Sequence, residues 1–233
     1  SSQFSVIKHY YTSDYYDIDF YNSTLGFIVG TYGRIVRWDG TFFDDKQGSS
    51  LTKNHLRGIR IFDRNSAFAV GDYGTILKWN GASWSNYSNT PVPTTQNLTA
   101  IDGVNYSCFV GGAPRNCYIG AAVGKNGTLL QFVSYVGGSD SWGISTKPDT
   151  KDLNGIKYYN ETFAFAVGSS GKILVNRGTS ILPPGTTLKR NNWYNDTSPP
   201  GFTENLNDII FFNNLTSIGL KVAYAVGDSG TVL

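Results

Sequence analysis

Ala67-Phe-Ala-Val-Gly71-Asp-Tyr-Gly74-Thr-Ile-Leu-Lys-Trp79 decides the fold. Small and large apolar residues alternate up to Gly71, as in a strand packed on both faces. Gly71 and Gly74 then bracket a tight turn, where glycine is expected to supply a positive φ. A second strand, Ile76-Leu-Lys-Trp79, follows the turn. Upstream, Leu56-Arg-Gly-Ile-Arg-Ile61 reads as a strand that precedes both.

The same three-part unit recurs along the chain. Before it come Tyr15-Tyr-Asp-Ile-Asp-Phe20, Leu25-Gly-Phe-Ile-Val-Gly30 and Gly33-Arg-Ile-Val-Arg-Trp38. After it come units containing Leu98-Thr-Ala-Ile101 with Ala121-Ala-Val-Gly124, Leu153-Asn-Gly-Ile156 with Ala164-Phe-Ala-Val-Gly168, and Leu206-Asn-Asp-Ile209 with Ala223-Tyr-Ala-Val-Gly227. The Val-Gly pairs end at 30, 71, 124, 168 and 227. A period of about 40–45 residues with loop insertions is a propeller signature rather than that of a helical solenoid. No segment sustains a 3.6-residue period.

The expected fold is therefore all-β: a β-propeller of five four-stranded blades spanning 1–233 as one domain. The units run over about 15–45, 55–88, 98–146, 152–196 and 206–233. The Leu-x-small-Ile segment is the innermost strand, and Asp17, Gly58, Ala100, Gly155 and Asp208 fill its crowded third position. Phe42-Phe43, Trp84, Trp142 and Trp193 mark a weaker fourth strand. The last unit stops at its third strand, so residues 4–10 are expected to supply the fourth and close the ring. The start at Ser1-Ser2 reads as a processed chain or one cut from something longer.

Val-Gly-Asp-Tyr-Gly-Thr-Ile-Leu (70–77) and Val-Gly-Asp-Ser-Gly-Thr-Val-Leu (226–233) resemble the repeats of the photosystem II assembly and stability factor family, which are related to BNR, or Asp-box, propeller repeats. The resemblance spans all five units. It implies a propeller, and it offers membrane-complex assembly as one functional reading. Two departures stand out: that family usually has seven blades, and no unit here carries the full Asp-box pattern. No partner-binding residue is carried over.

Composition narrows the functional classes. Hydrophobic residues make up 40% of the chain, enough for a real core, and aromatic residues 15%, which favours strands. The net charge of +2 comes without a Lys/Arg stripe, so a nucleic-acid partner is not expected. No apolar run is long enough for a membrane span. Cys108 and Cys117 are spaced to close a hairpin as a disulfide in an oxidising compartment.

Eight Asn-x-Ser/Thr triplets occur, at Asn22, Asn86, Asn97, Asn105, Asn126, Asn160, Asn195 and Asn214. All fall in expected turns or connections, where a glycan would reach solvent. Asn-Ser/Thr is also good turn chemistry in its own right.

Catalytic constellations are sparse. The only glutamates, Glu161 and Glu204, both read as loop residues, whereas glycoside hydrolysis needs two carboxylates across one cleft. The arginines, Arg34, Arg37, Arg57, Arg60 and Arg64 among them, follow the repeat rather than a sialidase-like cluster. Gly168-Ser-Ser-Gly171 is a repeat turn rather than a nucleophile elbow, and Gly111-Gly-Ala-Pro114 is too short for a phosphate loop. His9 and His55 are the only histidines. Asp17, Asp19 and Asp208 are weak candidates for holding a cation near the channel; a hydrogen-bonded blade junction is the plainer reading. No cofactor is expected. Tyr10, Tyr11, Tyr15, Tyr16, Tyr158 and Tyr159 form aromatic clusters suited to strand packing or to contact with a sugar or protein.

The expected function is a non-catalytic extracellular glycoprotein module for surface binding, adhesion or structural assembly. Its partner would be a protein or glycan on a cell or particle surface, and it could itself form an oligomer or filament. Alternatives are an appendage or virion spike that attaches to a host surface, a sialidase-like glycoside hydrolase, and a membrane-complex assembly factor.

Overall fold

A computed structural model describes residues 13–45, 50–88, 94–135, 138, 140–145, 150–178, 193–196, 199, 201–212 and 222–233. They form an all-β propeller-like fold of consecutive antiparallel sheets. The first sheet contains β1 (Tyr15–Asn22), β2 (Leu25–Gly30), β3 (Ile35–Trp38) and β4 (Phe43–Asp44). The second contains β5 (Leu56–Asp63), β6 (Ser66–Gly71), β7 (Ile76–Trp79) and β8 (Trp84–Asn86). The third contains β9 (Leu98–Val110), β10 (Ala113–Gly124), β11 (Leu129–Tyr135) and β12 (Ser141–Ile144). The fourth contains β13 (Leu153–Asn160), β14 (Phe163–Gly168), β15 (Ile173–Arg177) and β16 (Trp193–Asn195).

The fifth sheet is described in part. Among the described residues, β17 (Leu206–Phe212) and β18 (Val222–Gly227) pair as strands, and Val232 adds an isolated bridge to Val226. Residues 4–10, expected to complete this blade, lie outside the described residues.

Register is conserved between blades. The first inner-strand residue pairs with the Gly that ends the second strand: Tyr15 with Gly30, Leu56 with Gly71, Leu98 with Gly124, Leu153 with Gly168 and Leu206 with Gly227. The positive φ expected of glycine in this turn falls on Gly74, at 68°, while Gly71 is extended, at φ −170°. A Cβ there would lie 1.9 Å from the carbonyl oxygen of His55, so steric closeness demands glycine. Tyr73, just before Gly74, shares the positive φ, at 54°.

Apolar packing sits between blades rather than at one centre. Phe27, Val29 and Ile35 of the first blade cover Ile59, Ile61, Ala69 and Leu77 of the second. Phe68, Val70 and Ile76 then cover Leu98, Ile101, Ala122 and Leu130 of the third. Similar layers join the third blade to the fourth and the fourth to the fifth. Each blade thus has an incoming and an outgoing apolar face, and strands of small and large residues serve both.

Among the described residues the two end faces lack such cover. Ile18 is 53% exposed, whereas its counterparts Ile59, Ile101, Ile156 and Ile209 are 3–6% exposed. Phe20 beside it is also exposed, as are Tyr224, Val226 and Val232 on the outgoing face of the fifth blade. The inner strands pack in the order β1, β5, β9, β13 and β17.

The third blade carries one added feature. β9 and β10 run well past the neighbouring strands, and Cys108–Cys117 cross-links this hairpin with Cα atoms 5.9 Å apart. Gly111 and Gly112 form its turn at φ 61° and 81°, with exposed Phe109 beside them.

Candidate functional site

All five inner strands line a central cavity of about 420 Å³. Inner strands of adjacent blades share no ladder, so their N–H groups need other acceptors. Carboxylates serve this purpose. Asp17 accepts from Ile59 N–H at 2.9 Å, Asp19 from Ile61 N–H at 2.7 Å, and Asp102 from Tyr158 N–H at 2.7 Å. Arg60 stands 3.4 Å from Asp19 and 3.2 Å from Asp102, with Lys157 3.5 Å from Asp102. Burial pushes the Asp17 and Asp102 carboxyls above the usual range, against these favourable contacts. Asp208 borders the same cavity, and its charge adds to the upward push on Asp17.

Asp17 and Asp19 are therefore held in the junction with the second blade. Among the described residues no three His, Cys, Asp or Glu side chains group as metal ligands. Beside the turn that follows β6, Arg57 pairs with Asp72 at 2.5 Å and lies over the Tyr16 ring at 5.3 Å.

The strand-two to strand-three turns crowd one end of the propeller, here called the turn face. Five non-glycine residues in these turns have left-handed backbones: Tyr32, Tyr73, Asn126, Ser170 and Ser229, with φ 54–56°. Asn tolerates this region, whereas a bulky side chain there is an outlier. The Tyr32 and Tyr73 rings are nonetheless 65% and 72% exposed. His55 packs edge-on to both Tyr16 and Tyr32, extending the aromatic patch toward the channel.

A recurrent joint fixes these turns. Tyr32 N–H donates to Nδ1 of His55, Tyr73 N–H to Oδ1 of Asn97, Asn126 N–H to Oδ1 of Asp152, and Ser170 N–H to Oδ1 of Asn205. Each acceptor immediately precedes the next blade's inner strand. Its backbone carbonyl also accepts a turn N–H within its own blade, as His55 does from Asp72. Sequence reading missed this set because the acceptors differ chemically. The detectable signal was positional: Asp14, His55, Asn97, Asp152 and Asn205 all stand just before the repeat's first residue.

At the opposite end, the hairpin face, a second cavity of about 460 Å³ opens between the second and third blades. Lys78 and Ser134 reach Asp140 at 2.6 and 2.5 Å, and the Tyr118 hydroxyl bonds to Asp63. Ser134 is buried and donates its hydroxyl to Asp140, so it is held as a structural group.

The other sequence candidates separate clearly. Asn22, Asn86, Asn105, Asn126 and Asn195 are exposed, Asn97 and Asn160 are half-buried, and Asn214 lies outside the described residues. Asn105 is corrected from a connection to the interior of extended β9, where its Nδ2 donates to Phe62 O at 2.7 Å. Tyr158 is buried in the core, while Tyr159 packs against Phe211. Glu161 follows β13, whereas the Glu204 carbonyl accepts from Gly171 N–H beside the opposite end of that blade. His9, Tyr10 and Tyr11 lie outside the described residues.

No protein-family profile matches the chain, and no curated protein does. Its structure is similar to the RRP9 WD40 repeats, with a TM-score of 0.55 and 12% identity over 90% of this chain. The match covers 57% of that protein, so this chain spans just over half its length. YCF48 from Cyanidioschyzon merolae matches at TM-score 0.43 and 15% identity, covering 94% of this chain and 81% of that one. YCF48 bound to D1 peptide matches at 0.35 and 14%, covering 97% and 94%. The WD40 likeness supports a propeller-like fold and carries no function with it.

Proposed function

We propose that this chain is a non-catalytic, extracellular glycoprotein binding module that grips a protein or glycan on a cell or particle surface through its turn face. One observation carries the reading. Tyr32 and Tyr73 hold exposed rings on left-handed backbones where other blades place Asn or Ser. A left-handed backbone costs an ordinary L-residue about 1–2 kcal/mol, and exposed strain of this kind points toward function. Tyrosine offers a large, stiff contact with a polar tip, suited to stacking on sugar or peptide.

Export is supported by the cross-linked hairpin and the exposed sequons. A hydrolytic reading finds no support in the glutamates, which sit at opposite ends of a blade rather than across one bond. We further propose that the ring is closed, with residues 4–10 as the fourth strand of the fifth blade. The exposed apolar faces around Ile18 and Val226 would then cover one another, as equivalent faces do between the other blades.

The test is binding of the labelled chain to glycan and extracellular-protein arrays and to intact cells. Tyr32→Ser/Tyr73→Ser is expected to weaken any specific binding by about tenfold or more, as loss of aromatic anchors does. Unchanged binding by a folded double variant would refute the turn face as the site. Turnover of a sialoside panel would refute the non-catalytic reading.

A further inference from the structure

We propose that the sugar chains of this protein attach at Asn22 and Asn160, on the hairpin face, and leave the turn face bare. The proposal rests on the glycoprotein reading above and adds which acceptors are used. N-glycosylation requires an Asn Nδ2 that can reach the donor, with the hydroxyl two residues on placed beside it. Six of the eight triplets lie wholly in the described residues; Thr197 of the Asn195 triplet and all of the Asn214 triplet lie outside them.

Asn22 and Asn160 are equivalent residues at the β1–β2 and β13–β14 turns. Thr24 N–H and Oγ1–H both donate to Oδ1 of Asn22, at 2.9 and 3.0 Å. Thr162 N–H and Oγ1–H do the same to Oδ1 of Asn160, at 3.0 and 3.1 Å. Each loop is an Asx turn closed within three residues, so it needs no other part of the fold. The bonds occupy the carbonyl oxygen and leave Nδ2 without a hydrogen bond among the described residues.

The turn alone does not demand Asn. The second blade builds it with Asp63, whose Oδ1 accepts from Asn65 N–H at 2.6 Å. An acid therefore serves the backbone equally well, and Asn followed by Thr two residues on exceeds what the turn requires.

Four other triplets are spent on the fold. Asn97 Oδ1 accepts from Tyr73 of the preceding blade, and Thr99 Oγ1 donates to Leu153 O. Asn105 Nδ2 donates across a blade junction to Phe62 O. Asn126 has a left-handed backbone, and Thr128 is buried. Asn86 lies in an Asx turn, but the Ser88 hydroxyl is tied to Ile76 on the β7 edge. At Asn195, whose Thr197 lies outside the described residues, the Oδ1 accepts from the Lys172 ammonium of the same blade.

In the transfer step the Nδ2 lone pair attacks the anomeric C1 of a lipid-pyrophosphate-linked sugar supplied by the host's transferase. The N–C1 bond forms and the C1–O bond breaks. The lipid pyrophosphate departs with that electron pair, and one Nδ2 proton passes to a base of the transferase. Glycans placed here crowd the hairpin face and leave Tyr32 and Tyr73 at the other end of the propeller open to a partner.

The test is intact and glycopeptide mass spectrometry of the full chain secreted from an N-glycosylating cell. Asn22→Asp/Asn160→Asp keeps both turns, as Asp63 does, and removes both acceptor nitrogens. It is expected to lose most of the glycan mass, whereas Asn97→Asp is expected to lose none. Glycan mass retained by Asn22→Asp/Asn160→Asp overturns this proposal and leaves the glycoprotein reading standing. A wild-type chain with no glycan at any triplet overturns both.

Discussion

The backbone N–H of Tyr73 donates to Oδ1 of Asn97 across 2.9 Å, fastening the turn of the second blade to the root of the third. The strained residue and its tether thus come from different blades. Asn97→Ala removes the acceptor and is expected to lower stability by about 1 kcal/mol, the usual net value of one hydrogen bond. Asn97→Asp is expected to be near neutral, because Asp152 already makes the same joint. Urea unfolding of the two variants checks this.

Tyr73→Asn should separate stability from binding. Asn126 occupies the equivalent backbone in the third blade, and Asn tolerates a left-handed conformation better than Tyr. The expected result is stability unchanged or raised by up to about 1 kcal/mol, with weakened partner binding. Thermal unfolding and surface-binding measurements on one preparation decide it.

Acid should loosen the joint between the third and fourth blades. The Lys125 ammonium, 2.9 Å from Asp152, and then the Asn126 N–H hold the Asp152 carboxyl below the usual range. Its folded-state pKa lies below the unfolded value of about 3.9, so its contribution is present above that pH and is lost as pH falls through the folded value. Asp17 and Asp102 oppose this: burial raises their folded values, so ionising them weakens the fold as pH rises from about 3.9 through those values. Asp152→Asn keeps an acceptor for Asn126 N–H but removes the titration. It is expected to flatten the part of the acid-unfolding curve below about pH 4, as followed by circular dichroism.

Removing the cross-link should have a local effect. Cys108 and Cys117 join the distal part of the β9–β10 hairpin, beyond most of the blade packing. The chain-entropy relation gives about 2–3 kcal/mol for so short a loop. Cys108→Ala/Cys117→Ala is expected to speed amide exchange over residues 105–116, while protection in β5 and β6 is retained. Equal loss of protection in both regions would show that the hairpin unfolds only with the whole domain.

Much of the fold was legible because the constraint repeats. Val-Gly ending the second strand, small residues such as Gly58 and Gly155 near the hub, and tryptophans on the fourth strand each mark a position that every blade must solve. Gly155 shows why: a Cβ there would meet Asp208 Cα at 2.9 Å. The joint acceptors were hidden because His55, Asn97, Asp152 and Asn205 solve one problem with different chemistry. The length of β9 was also hidden, since Asn105-Tyr-Ser107 reads locally as a turn, while the strand is held there by pairing with Asn116, Cys117 and Tyr118. Tyr32 and Tyr73 were visible as letters, but their left-handed backbones and exposure required the structure.

Four joints link five blades, and a closed ring needs a fifth. Ser229 has the left-handed backbone of the donors, and Asp14 occupies the acceptor position before β1. Neither makes that bond among the described residues. Asp14→Cys/Ser229→Cys therefore measures closure most directly. The other joints hold donor and acceptor atoms 2.9–3.2 Å apart, so a fifth joint of the same build places residues 14 and 229 in direct contact. A closed ring predicts rapid intramolecular cross-linking in a monomer under mild oxidation. Absence of that cross-link, or its formation only between molecules, would contradict the ring.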